Sequence, residues 1–393
     1  MNEARYFCGV DVAKDSFVVS VKNGRFLAKN RTFTMDRSGF RDFERIISDF
    51  KEGVVIGMEP TGIYHHNLLN FLQERDYNSV VVNPYMLHQF FKFTNNKPTK
   101  TDKKDSKTIA EFLEFKQDEL KESPKTVDER YSARYFVREK ERITQDIART
   151  KTEIKRMLSL VFPEAEKLSG VYSQEFLSVL LEFGGAAKIR RTSKARFVSI
   201  AKQLSDKGRG RKSKFSPEKI YELASSSIAG EWPDYEELLK IKIRRLYRLL
   251  EEKEQITKLI EEKAEKFFKR EIEILSSIPG VGKESAIYLM AELVNIKRFE
   301  DYRKLVGFCG LDPVIKQSGR FKASWRISKR GNAHARRIVW IMAGCVKRSC
   351  PYFREYYLKK RNEGKSYKEA VIATSTKLLR TIFALLNENR VFK

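Results

Sequence analysis

The chain has 393 residues, enough for two or three domains with sizeable cores. Lys plus Arg number 78 against 52 Asp plus Glu, a formal net charge of +26. That excess costs self-repulsion in the free protein and points to a polyanionic partner, nucleic acid first and an anionic membrane second. No apolar run reaches the roughly 18 residues a membrane span needs, and no membrane partner is expected. The start, MNEARYFCGV, lacks a signal-peptide pattern. Cys8, Cys309, Cys345 and Cys350 lack metal-type spacing and read as reduced thiols of an intracellular, soluble protein.

In chain order, YFCGVDV and SFVVSVK are rich in β-branched and aromatic residues and predict strands. Asn23-Gly24 predicts a hairpin turn into a third strand, RFLAKNRTFTM. SGFRDFERIISDF has helical periodicity with Ser38 as the expected N-cap. VVIGME predicts a buried strand, GIYHHNLLNFLQER a helix, NSVVVN a strand, and a further helix begins near Thr101. Periodicity alone establishes α/β, and this order suits a ribonuclease-H-like fold.

From Asp128 to about Phe162 the pattern is helical and heavily charged, with Ile143, Ile147, Ile154, Met157, Leu158 and Val161 at three- and four-residue steps. A second such helix is expected from about Pro233 to Phe268, and paired they predict a helical hairpin or coiled coil. The intervening DKGRGRKSKF alternates glycines with cations. Arg209, Arg211, Lys212 and Lys214 are therefore candidates for a phosphate backbone, against the alternative of a solubilising loop. Residues 271–393 read as a third, mostly helical unit. Its opening, ILSSIPGVGKESAIYLMAEL, has the form of a helix-hairpin-helix in which backbone N–H groups and Lys283 meet a phosphate. A tight turn between core helices is the alternative. The expected domains are 1–122, 123–270 and 271–393.

The acids carry the chemistry. Asp11 stands at the end of CGVDV and Glu59 ends VVIGME, so both project into one crevice if those strands are neighbours. TKTDKKDSKTIA puts Asp102 and Asp105 one turn apart at a helix start. An N-cap plus a first-turn acid would be the plain explanation of that pair. Four carboxylates in one crevice need divalent cations, and oxygen-only donors with phosphate substrates select Mg²⁺. Two such ions roughly 3.5–4 Å apart bind the attacking and leaving oxygens at phosphorus. Lys103 and Lys104, with Lys100 and Lys107, would grip the nucleic-acid backbone.

GVDVAKD, MEPTGIYHHNL and KPTKTDKKDSKTIAEFL resemble the acid-bearing motifs of the DEDD-type insertion-sequence transposases, bridge-RNA-guided recombinases related to the Piv DNA invertase and to Holliday-junction resolvases. FEDYRKLVGFCGLDPVIKQSGRFKASWRISKRGNAHARRIVWIMA resembles that family's second domain. The resemblance implies a RuvC-type N-terminal domain with Asp11, Glu59, Asp102 and Asp105 binding Mg²⁺, and Ser318 as nucleophile. Arg320, Arg326, Lys329 and Arg330 would stabilise charge on the phosphoryl oxygens. It further implies double-stranded donor and target DNA, a noncoding guide RNA, a homo-oligomer (dimer or tetramer), and a prokaryotic, nucleoid-associated location. Ser106 departs from the alanine expected after the last acid. The competing functions are a Mg²⁺-dependent junction endonuclease using water and a non-catalytic nucleic-acid-binding protein.

Overall fold

The computed structural model describes residues 6–60, 63–82, 84–94, 102–117, 129–168, 170–205, 216–314, 317–318, 321–322 and 326–393. The chain forms two compact units, Met1–Ser132 with Ile274–Lys393, and Ala133–Glu273.

The first unit begins with a five-stranded sheet in the order β3-β2-β1-β4-β5. β1 (Tyr6–Val12), β2 (Ser16–Asn23) and β3 (Arg25–Thr34) are antiparallel neighbours, whereas β4 (Val54–Met58) and β5 (Asn78–Val81) run parallel to β1. This mixed order is consistent with the ribonuclease-H-like arrangement. Asn23 pairs with Arg25 across Gly24, whose φ of +63° is the left-handed turn conformation that glycine adopts without steric cost.

Two apolar layers cover the sheet, as strand alternation requires. Cys8, Val10, Val12, Ile56 and Met58 pack with Phe43 and Ile47 of α1 (Arg37–Ile47) and Leu68, Leu69 and Leu72 of α2 (His65–Gln73). On the other face Phe7, Val55 and Val80 pack with Leu87 of α3 (Pro84–Thr94) and with Ile109, Phe112 and Leu113 of α4 (Asp102–Phe115). The sequence reading missed α3. It also misplaced the cap of α1: Asp36, not Ser38, accepts the Gly39 N–H at 2.8 Å. Asp36 is held there by the Thr34 hydroxyl at 2.9 Å, and both bonds lower its carboxyl pKa.

α4 lies directly on the sheet because two glycines let it. A Cβ on Gly9 would stand 2.1 Å from the Ser106 carbonyl oxygen, and one on Gly57 would stand 2.6 Å from the Leu113 side chain. Near its end Glu114 accepts the Gly24 N–H at 3.0 Å and pairs with Lys22 Nζ at 2.5 Å. Ser106 at one end and Glu114 at the other therefore fix the direction of α4 along β1 and β2.

In the second unit, α5 (Glu129–Val161) and α10 (Pro233–Ser276) run antiparallel, Lys242 pairing with Glu153 at 2.7 Å and Lys263 lying over the Phe136 ring at 5.2 Å. Ile143, Ile147, Ile154, Leu158 and Val161 share a core with Leu239, Ile243 and Leu246 of α10. That core also takes in α6 (Gln174–Phe183), α7 (Ala186–Arg191), α8 (Lys194–Ser205) and α9 (Pro217–Ser225). α10 outruns its expected end and carries non-helical backbone at Phe268.

The remainder of the first unit is helical: α11 (Lys283–Leu293), α12 (Tyr302–Phe308), α13 (Ala333–Ser349), α14 (Pro351–Asn362) and α15 (Tyr367–Asn387). Between α12 and α13 lie four two-residue strands, β6 (Pro313–Val314), β7 (Gln317–Ser318), β8 (Phe321–Lys322) and β9 (Arg326–Ile327). Among the described residues no helix is long and apolar enough to cross a membrane.

Candidate functional site

The register of the sheet places the first two acids. Val10 pairs with Met58 in the parallel β1–β4 ladder, so Asp11 and Glu59 stand side by side one step further on, at the C-terminal ends of both strands. Each is also two residues beyond a glycine that faces α4, Gly9 or Gly57, and alternation puts both on the α4 face. α4 brings the third, since Ser106 packs on Gly9 and Asp105 immediately precedes it. The helix N-terminus thus lies at the acids' end of the sheet, where its dipole favours negative charge. Asp102 is the first residue of α4, but its side chain and those of Lys103 and Lys104 lie outside the described residues. Among the described residues no three His, Cys, Asp or Glu side chains are grouped closely enough to hold a metal ion. In chemistry, carboxylate oxygens such as those of Asp11 and Glu59 are the donors a hard divalent cation takes.

Ser106, the departure noted in the sequence, is fully buried, with its Oγ 3.0 Å from Ser20 Oγ. Ser20 Oγ also accepts the Asn30 N–H at 3.1 Å. The extra hydroxyl thus has a partner in β2. Behind the acids, α2 begins with His65, which is 5% exposed. Burial, and then the neighbouring His66, push its imidazole down to about 4.

The serine stands elsewhere in the sequence, on a hairpin. Ser318 pairs with Phe321 at the end of the β7–β8 ladder. The outer ladder joins Pro313 to Ile327 and Val314 to Arg326. At its base Ser328 donates to Asp312 through its hydroxyl at 2.5 Å and its N–H at 2.8 Å. Lys329 N–H donates to the Gly310 carbonyl at 3.1 Å and Asn332 N–H to the Phe308 carbonyl at 2.6 Å. A Cβ on Gly331 would meet the Phe308 carbonyl oxygen at 2.1 Å.

Asn332 then caps α13, accepting the His334 and Ala335 N–H groups at 3.0 Å, and donates to the fully buried Glu292 at 2.6 Å. Sequence reasoning passed over Glu292 and Gly331. The first looks like an ordinary helical acid in LMAELV, and the second needs a close approach that no spacing shows. Cys309, beside this base, has its thiol pushed up to about 12 by burial, which removes it as a nucleophile.

Of the predicted nucleic-acid contacts, Lys283, Lys329 and Arg330 are exposed. The side chains of Ser318 and Arg326 lie outside the described residues, as do Arg209, Arg211, Lys212, Lys214 and Arg320 altogether. The PGVG segment does link α10 to α11. A Cβ on Gly280, at φ +96°, would stand 3.0 Å from the Cys345–Val346 backbone, so packing and backbone conformation account for this glycine, while a Cβ on Gly282 would meet nothing within 4 Å.

A mixed five-stranded sheet with two carboxylates at adjacent strand ends beside a helix start is consistent with a ribonuclease-H-like N-terminal domain. A DEDD-type transposase model of IS110 elements matches residues 8–163, and the model "Transposase IS116/IS110/IS902 family" matches residues 272–358. The chain belongs to this family of insertion-element transposases. It is 24% identical over 300 residues to the IS116 uncharacterized 44.8 kDa protein of Streptomyces clavuligerus, covering 75% of this chain and 72% of the relative. The IS900 uncharacterized 42 kDa protein of Mycobacterium paratuberculosis is 32% identical over 31% of each chain. The pilin gene-inverting protein of Moraxella bovis is 28% identical over 30% of this chain and 38% of its own. The chain thus spans only about a third of the length of the latter two.

Proposed function

We propose that the protein is a DNA transposase that cuts and rejoins strands of a mobile element, with the carboxylates holding Mg²⁺ and Ser318 as nucleophile. The observation that carries this reading is the placement of Asp11 and Glu59 on adjacent strand ends beneath the start of α4, in a chain that matches both family models. Asp11, Glu59, Asp102 and Asp105 would hold the ions. Bound there, two Mg²⁺ ions would polarise the scissile phosphate and lower the cost of charge on both oxygens in line.

Ser318 Oγ attacks phosphorus and loses its proton. The bond to the leaving DNA oxygen breaks, that oxygen gains a proton, and a phosphoserine ester remains. Attack on that ester by a DNA hydroxyl reverses the step and restores the serine, so rejoining needs no nucleotide cofactor. Arg320, Arg326, Lys329 and Arg330, on the same hairpin and its base, would neutralise the phosphoryl oxygens. Arg209, Arg211, Lys212 and Lys214 would hold backbone phosphates, as would Lys103, Lys104 and Lys283. The division into 1–122, 123–270 and 271–393 assigns metal binding, spacing or dimerisation through the long helices, and the serine to successive segments.

The guide would be a noncoding RNA of the same element, and the working form a homo-oligomer in the prokaryotic nucleoid. Copurification from the host followed by sequencing of bound RNA tests the guide. Denaturing gels test the nucleophile: a DNA strand covalently attached to wild-type protein, absent from Ser318→Ala, is expected. Cleavage by Ser318→Ala at the wild-type rate would instead establish hydrolysis by water.

A further inference from the structure

We propose that a cavity of about 590 Å³ lined by α12, α14, α15 and residues 390–393 takes an unpaired nucleotide of a single-stranded nucleic acid. Its size is within the roughly 300–1,000 Å³ of pockets that bind small organic groups. Tyr302, Tyr352, Tyr356 and Phe392 supply ring faces, and Lys377 and Arg380 supply charge. No Asp or Glu is among the lining residues, and among the described residues neither Lys377 nor Arg380 pairs with a carboxylate. Arg390 also lines it, with its partner Glu388 outside the lining.

The cations instead lie against the rings. Lys377 Nζ is 3.7 Å from the Tyr352 ring centre and 4.4 Å from that of Tyr356, and the Arg380 guanidinium is 5.2 Å from that of Tyr302. Tyr352 is nonetheless 49% exposed. A base can therefore displace the ammonium from the ring face while its own phosphate takes up the freed charge, so the cation exchanges one weak partner for a full anion. A duplex offers its phosphates but keeps its base faces stacked, and it cannot use the rings. The ring faces beside the cations therefore favour a single strand over a double one.

The inference rests on the reading that the chain handles nucleic acid and is independent of the cleavage chemistry. The test uses full-length protein with 12-nucleotide oligo(dT) and oligo(U) carrying 5-iodouracil, and a duplex of equal length, at fixed salt. Crosslinks should map to Tyr302, Tyr352, Tyr356 or Phe392, and the oligonucleotide giving the higher yield identifies DNA or RNA as the source. Tyr352→Ala should weaken single-strand binding about tenfold, a size expected for one lost stacking contact. Tyr352→Phe should restore it, and duplex binding should change by less than about twofold, since phosphate contacts elsewhere dominate it.

Asp11→Asn, run in parallel, should leave the crosslinks intact whether or not it abolishes cleavage, which separates this inference from the catalytic one. Crosslinks that map elsewhere for both oligonucleotides, or equal losses on single strand and duplex, would overturn it.

Discussion

The acidic strand edge and the serine hairpin hold their key residues in opposite ways. Asp11 and Glu59 end strands covered on both faces and pinned by a helix that touches backbone at Gly9. Ser318 is carried on a two-residue ladder inside another two-residue ladder, fixed at its base by Asp312, Ser328 and Gly331. The edge suits groups that must stay at set distances from one another. The hairpin suits a group presented to an outside partner from a firm footing.

The sharpest break of that comparison is chemical. Asp11→Asn and Ser318→Ala should each reduce strand cleavage by more than about a thousandfold, as loss of a metal ligand or nucleophile does. Both should keep the wild-type melting curve. If Asp11→Asn cleaves normally in Mg²⁺, the edge is not the catalytic centre. Next in size is packing. Gly9→Ala forces its Cβ onto the Ser106 carbonyl and should cost about 3 kcal/mol in urea unfolding, and Gly331→Ala at the hairpin base should cost a similar amount. Little loss at Gly331 would remove the firm footing.

The third effect is pH-linked. His65 takes up a proton near pH 6.5 when unfolded but resists it to about 4 when folded. Its contribution is therefore complete above about pH 6.5 and declines as pH falls towards 4. His65→Gln should flatten the fall in melting temperature across that window, while leaving any slope due to carboxylates. The smallest is Ser106→Ala, which removes one buried hydroxyl contact while Ser20 keeps Asn30, at a cost of about 1 kcal/mol or less in urea unfolding.

Much of the edge was legible in the sequence because it rests on local pattern. β-Branched and aromatic content marked β1 and β2, the apolar run VVIGME marked β4, the acids stood visibly at strand ends, and Asp105 followed from a helix start. What periodicity could not show was which strands adjoin, or why Gly9 and Gly57 must lack side chains, since both glycines are required by a helix distant from them in sequence. α3 was missed although Pro84 opens it, because PYMLHQFFKFT is apolar without a clear stripe. The serine hairpin was illegible for another reason. Two-residue strands are shorter than any period, and only the family resemblance drew the eye to Ser318.

The Val10–Met58 step has a consequence for how this domain can change length over generations. A single residue inserted into β1 or β4 would turn one acid to the opposite side, among the side chains of α1 and α2, and so destroy the pair at one stroke. The outer β2–β3 ladder already absorbs such additions, with register shifts beside Val21 and a left-handed Asn30 at φ 52°. Insertions and deletions should therefore accumulate in descendants of this chain at the rim of the sheet, while the spacing from Tyr6 to Asp11 and from Val54 to Glu59 stays constant to the residue.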